Sequence, residues 1–181
     1  MIRADHPGVS FSIGEGTAPD VDWAAVYRSE LPRIYNFFRY RVGEKQLAED
    51  LTAATFERAW AKRYSFGNHG SPSGWLYRIA VNVAREHFRS RARSTPAVPA
   101  LPDLEHEEPE THLERREESA RLAELLRGLP ERRRLLVSLK YGAGLTNREI
   151  SRLTGMSESN VGTTLQRTLA WLRDHWEYTH E

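Results

Sequence analysis

The sequence predicts an all-α protein: two small helical domains joined by an acidic, Pro-rich linker, the second containing a helix-turn-helix. Three observations carry that prediction. Apolar residues recur at spacings of three and four along most of the chain, and nowhere do they alternate with the period a strand requires. Pro96, Pro99, Pro102 and Pro109 fall within one short acidic stretch, a composition that tethers rather than packs. After residue 145 a short amphipathic segment, a Gly-containing turn and a longer amphipathic segment follow one another, the order of a helix-turn-helix. A chain of 181 residues accommodates one ordinary domain or two small helical ones.

Taken in order, residues 1–20 are rich in Gly, Pro and small polar residues without an apolar period, and read as a mobile tail. A first domain is expected over 21–93. Tyr27, Leu31, Ile34 and Phe38 step by four, three and four along one helix face. Leu47, Leu51 and Ala54 continue the pattern in a second helix, where Phe56 and Trp60 form an i,i+4 pair. Residues 64–70 make a polar loop. Ser71-Pro72 then combines a capping hydroxyl with a proline at the first helical position. In the helix that follows, Leu76, Ile79, Ala80, Val83 and Ala84 make a core stripe, and Arg78, Asn82, Arg85 and Arg89 make a second stripe on another face.

The linker is expected over 94–111. Helical pattern resumes near His112, with Leu113, Ala120, Ala123 and Leu126, opening a second domain over 112–176. Leu129-Pro130-Glu131 restarts a helix with Pro in its first turn, ending at Gly142 or Gly144, either of which tolerates the left-handed cap conformation. Thr146-Asn147-Arg148-Glu149 has the form of a capping box and sends Ile150 and Leu153 inward. Ser157 caps the next helix, whose inward row is Val161, Leu165, Thr168, Leu169 and Leu172.

Composition removes whole classes of chemistry. There is no cysteine, so disulfides, thiolate metal sites and thiol catalysis are excluded. The histidines are scattered without metal-ligand spacing, and no phosphate loop or nucleophile signature accompanies them. No cofactor or metal is expected, and no enzyme constellation is visible. No apolar run is long enough to cross a bilayer and no signal-peptide pattern opens the chain, so membrane insertion is not expected and the cytoplasm is the expected location.

Charge points to nucleic acid by its distribution rather than its sum, which is +1. Residues 73–93 carry Arg78, Arg85, Arg89, Arg91 and Arg93 against one acid, Glu86, whereas 94–111 carry Asp103, Glu105, Glu107, Glu108 and Glu110 and no Lys or Arg. Arg is the better reader of phosphate and of base edges. The stripe of Arg78, Asn82, Arg85 and Arg89, with Trp75, Tyr77 and Phe88 beside it, suits single-stranded DNA: rings stack on bases while guanidiniums hold phosphates. On the last helix Asn160, Thr163, Thr164 and Arg167 share a face opposite the inward row, with side chains suited to base edges in a major groove. Taken alone, the first stripe is equally consistent with an ordinary solvated helix, whereas the helix-turn-helix face favours DNA over a helical hairpin with a solvated polar face. A stand-alone helix-turn-helix regulator, binding DNA by itself and as a symmetric dimer, remains an alternative on these residues.

The motifs resemble one family when taken together. Ser73-Gly74-Trp75-Leu76-Tyr77-Arg78-Ile79-Ala80-Val81-Asn82 is similar to the promoter-melting helix of extracytoplasmic-function sigma factors, group IV of the sigma-70 family. Ala48-Glu49-Asp50-Leu51 followed by Phe56-Glu57-Arg58-Ala59-Trp60 resembles the family's polymerase-gripping helix. Leu129-Pro130-Glu131-Arg132-Arg133 and Leu145-Thr146-Asn147-Arg148-Glu149-Ile150 resemble its second conserved domain. The resemblance covers about 21–173 and implies a subunit that directs promoter-specific initiation. Its implied partners are core RNA polymerase (clamp and flap), promoter DNA and an anti-sigma factor.

By the same resemblance, Asp50, Leu51, Phe56, Arg58 and Trp60 would bind the clamp. Trp75, Arg78, Asn82, Arg85, Arg89, Asn68 and His69 would melt and hold the minus-ten element, with one base flipped into a pocket near 65–71. Arg148, Ser159, Asn160, Thr163, Thr164 and Arg167 would read the minus-thirty-five duplex. The acidic linker would thread toward the active-site and RNA-exit channels and mimic RNA there. The chain departs from the family where Ala53-Ala54 replaces the usual Gln-Glu, and where Gly162 and Thr164 replace basic residues. Gly162 costs about 1 kcal/mol of helix stability relative to Ala. Fewer phosphate contacts imply weaker reliance on the upstream element than is usual for the family.

Overall fold

The computed structural model describes residues 21–67, 70–93 and 111–177, with only the backbone given for 111–117. Helices α1 (Trp23–Val42), α2 (Lys45–Lys62) and α3 (Pro72–Arg93) form a first unit, and α4 (Thr111–Gly128), α5 (Glu131–Val137), α6 (Asn147–Thr154) and α7 (Glu158–Glu177) a second. Among the described residues there is no strand, and no helix is long and apolar enough to cross a membrane. The tail 1–20 and the linker core 94–110 lie outside the described residues.

Helix ends are set by local chemistry. Asp22 Oδ1 accepts the Ala25 amide at 2.9 Å to open α1, and Gly43 closes it at φ +79°, a left-handed geometry that glycine adopts without penalty. Ser71 Oγ accepts the Gly74 amide at 3.1 Å at the start of α3. The capping box of α6 is complete: Thr146 Oγ1 accepts the Glu149 amide at 3.2 Å, and the Thr146 amide donates to Glu149 Oε2 at 2.8 Å. The turn after α6 passes through Gly155 at φ +73°, and Ser157 Oγ accepts the Asn160 amide at 3.2 Å to open α7. Pro130 occupies the cap position before α5 rather than its first turn. The helix that was expected to run on to Gly142 instead widens into a π turn, Ser138–Gly142.

Ile34, Phe37 and Phe38 of α1 are buried against Ala48, Leu51 and Ala59 of α2 and Leu76, Ala80, Val83 and Ala84 of α3. Each such large apolar side chain contributes roughly 1.5–3 kcal/mol. The expected α1 stripe is only half right. Tyr27 is 46% exposed, because at that end its ring meets only the rim of α2, edge-on to Phe56 at 4.7 Å. In the second unit Leu126, Leu129, Leu136, Leu139, Leu145, Ile150, Val161 and Leu165 are buried together. Thr168, placed in the inward row, is fully buried and satisfied by the Thr164 carbonyl at 2.7 Å.

The two units pack on each other. The π turn lies across α1 so closely that a Cβ on Gly142 would sit 2.7 Å from the Asn36 carbonyl oxygen. Arg33 Nε donates to the Ala143 carbonyl at 2.9 Å, and the buried Arg41 is paired with Glu131.

Candidate nucleic-acid interface

The core stripe of α3 fixes which way its opposite faces look. With Leu76, Ala80, Val83 and Ala84 inward, Arg78, Asn82, Arg85 and Arg89 are all exposed on one line. Eleven positions of helix give that line a length of about 16 Å, enough for several nucleotides of a strand. Among the described residues none of its arginines is held in an ion pair. The one acid of the helix, Glu86, is turned aside to Arg58 of α2 at 2.5 Å, which ties α2 to α3 and leaves the stripe without an acid of its own helix.

Of the aromatic residues beside the stripe, Tyr77 is turned into the fold, which corrects its assignment as a base-stacking platform, while Trp75 and Phe88 are half-buried. Tyr77 is 1% exposed, and its hydroxyl donates to Glu30 Oε2 at 3.2 Å. Burial, and then the Glu30 charge, push that phenol well above its ordinary range. Phe88 is half-buried beneath the Arg41 guanidinium, 4.7 Å from its ring centre. Trp75 is half-buried in an aromatic trio with Trp23 and Phe66, each ring centre about 5.5 Å from the next. That trio anchors the loop after α2 onto the start of α3. Asn68 and His69, in the same loop, lie outside the described residues.

The second surface is the outer face of α7. Ser159, Asn160, Thr163 and Arg167 are exposed, and Thr164 is half-buried with its hydroxyl donating to Asn160 Oδ1 at 3.3 Å. Arg148 is exposed on α6. A Cβ on Gly162 would meet only the Asn147 amide nitrogen at 3.4 Å, so the glycine is not required by packing. Hydrogen bonds from Thr146 hold the Glu149 carboxyl below its ordinary range, so the box that opens the helix-turn-helix stays ionised.

Residues assigned to a protein partner divide. Asp50 is exposed and accepts a bond from Gln46 at 3.3 Å, and Trp60 is 59% exposed beneath the Arg63 guanidinium. Arg58 is exposed but committed to Glu86. Leu51 is buried in the core and presents nothing to a partner. Phe56 and Trp60 line an apolar cleft of about 620 Å³ together with Trp23, Val26, Tyr27 and Leu76. Sequence reasoning missed Trp23 and Tyr27 as members of this surface; aromatic residues at the solvent end of an amphipathic helix were the signal.

Comparisons with known proteins match both units. The sigma-70 region 2 family covers residues 26–94, and the sigma-70 region 4 family covers 119–172. The chain is 33% identical over 143 residues to the ECF RNA polymerase sigma factor BldN of Streptomyces coelicolor, matching 77% of this chain and 54% of that relative. It is 28% identical over 160 residues to the RNA polymerase sigma factor YlaC of Bacillus subtilis, matching 86% of this chain and 92% of that one. Among solved structures, the sigma factor RpoE of Bartonella quintana, crystallised with the anti-sigma factor NepR, superposes with a TM-score of 0.64 at 20% identity. That match covers 86% of this chain and 97% of RpoE, and shows the shared fold. With two successive regions of one family matched in order on the two helical units, the chain belongs to the sigma-70 family as an RNA polymerase sigma factor of the extracytoplasmic-function type.

Proposed function

We propose that the chain binds core RNA polymerase and directs initiation by holding the melted minus-ten strand on α3 and reading the minus-thirty-five duplex with α7. The observation that carries this reading is the pairing of two exposed faces of different character on separate helices. The α3 stripe is cationic and narrow, suited to the phosphates of a single strand. The α7 face is an Asn/Thr/Arg surface at the start of the second helix of a helix-turn-helix, where base edges are met in a major groove. The cleft beside Trp60 offers the clamp an apolar seat with an aromatic anchor. An anti-sigma protein is a further proposed partner, in keeping with the crystallised company of RpoE.

Permanganate footprinting of open complexes tests the assignment. With wild-type protein and core polymerase, thymines of the minus-ten element become reactive. Substituting Arg85 and Arg89 by Ala abolishes that reactivity while leaving polymerase binding intact. Undiminished melting by the double variant would remove α3 from the role.

A further inference from the structure

Resting on the proposed role of α7 at the upstream duplex, we infer that Thr164 is a positioning residue that fixes the Asn160 carboxamide in the orientation that selects adenine. Threonine inside a helix ordinarily turns its hydroxyl back to the carbonyl one turn earlier. Thr52, Thr55, Thr154 and Thr168 all do so, at distances between 2.6 and 2.8 Å. Thr164 departs from that habit. Its hydroxyl donates to Asn160 Oδ1 at 3.3 Å, along the outer face of α7.

The main chain under Asn160 is held as well. Its amide donates to Ser157 Oγ at 3.2 Å, in the cap that opens α7. Asn160 therefore stands in the first turn of the second helix of the helix-turn-helix, the part of such a helix that meets base edges. Its side chain is exposed, so the bond from Thr164 satisfies no buried group. What the bond does is hold a short side chain in one place. Arg167, further along the same face, is exposed, and among the described residues no acid pairs with it.

The choice of base follows from donors and acceptors. A carboxamide oxygen has two lone pairs, and its nitrogen has two N–H groups. The Thr164 hydroxyl takes one lone pair, leaving an acceptor and a donor side by side. In the major groove adenine presents the complement, a donor at N6 and an acceptor at N7, whereas guanine presents two acceptors, O6 and N7. A side chain already held in its bound geometry also loses less freedom on binding. Threonine is short enough to end at Asn160; a lysine or arginine at 164 would project past it toward phosphate. Fewer cations lower the affinity of α7 for any duplex, while the fixed amide keeps its discrimination, because phosphate contacts position and base contacts specify.

Selection among promoters supplies the test. Core polymerase with the full chain transcribes a library randomised across the upstream element, and the transcribed templates are sequenced. The wild-type protein enriches adenine over guanine at one position by about tenfold or more, the discrimination of one bidentate pair. Thr164→Val keeps the shape and removes the hydroxyl. It lowers that ratio about fourfold, because two χ1 wells and two amide orientations open where one arrangement was held. Thr164→Ser retains the wild-type ratio. Asn160→Asp, an exposed change to a group that only accepts, moves the preference at the same position to cytosine. An unchanged ratio in Thr164→Val, or one that falls equally in Thr164→Ser, overturns the positioning role. An adenine preference that survives Asn160→Asp overturns the amide as reader. Wild-type selection of a different base at every upstream position overturns the inference and leaves the upstream role of α7 standing. Transcription without any upstream preference removes that role, and the inference with it.

Discussion

Tyr77 and Glu30 form a buried hydrogen bond, 3.2 Å from the phenol to Oε2, that joins α3 to α1. Ser73 Oγ donates to the other carboxylate oxygen at 2.8 Å, and Arg33 Nη1 lies within 3.4 Å of both. One nearly inaccessible carboxylate thus fixes the start of α3, the rotation of its basic stripe, and the arginine that reaches the second unit.

Removing one donor from that carboxylate has a defined cost. Tyr77→Phe loses a hydrogen bond to a charged group, worth about 1.5–3 kcal/mol. Urea unfolding should show the midpoint lowered by that energy divided by the slope, with the slope itself unchanged. Glu30→Ala should cost more, because it removes the acceptor of both the Tyr77 and Ser73 hydroxyls.

Phosphate contacts on α3 are countable by salt. Arg78→Ala and Arg85→Ala should each weaken binding of the polymerase complex to a single-stranded minus-ten oligonucleotide. Each should flatten the slope of log K against log salt by about 0.7. Anisotropy titrations over a series of salt concentrations supply the slope.

Surface and core separate cleanly on α2. Trp60→Ala should leave stability within about 0.5 kcal/mol, yet weaken core-polymerase binding by 2 kcal/mol or more, roughly thirtyfold. Leu51→Ala should show the reverse emphasis, losing about 2–5 kcal/mol of stability. Paired denaturation and polymerase-affinity measurements on the two variants decide the assignment.

The capping box predicts a pH signature. The bonds from Thr146 depress the Glu149 carboxyl, so the unfolded chain takes up that proton first. The contribution is complete above the ordinary value of 4.5 and is lost as pH falls through the lower folded value. Thr146→Ala should cost about 1 kcal/mol at neutral pH. Glu149→Gln should reduce the acid-side slope of stability against pH, measured by thermal melts.

Much of this was legible in the sequence because local rules produced it. Ser71-Pro72, Thr146 with Glu149, Gly155 and Ser157 each act within one helical turn, and each element end they announced is present. The basic stripe of α3 was legible because its complement, the core stripe, is nearly uninterrupted. What escaped was long-range. Arg41 and Glu131 stand on different helices 90 residues apart, and nothing local marks them as partners. Gly142 read as a helix stop, whereas its use is close approach to α1. Tyr77 read as a stacking platform because an aromatic residue beside arginines looks alike whether it faces solvent or a buried carboxylate.

The most direct test of the central claim is transcription by purified core polymerase on genomic fragments, with and without this protein. Transcripts that start at defined positions only when the protein is present, and are lost on substituting either Arg85 or Asn160 by Ala, are the result expected. Tight, specific DNA binding by the protein alone, with no polymerase-dependent transcript, would contradict it.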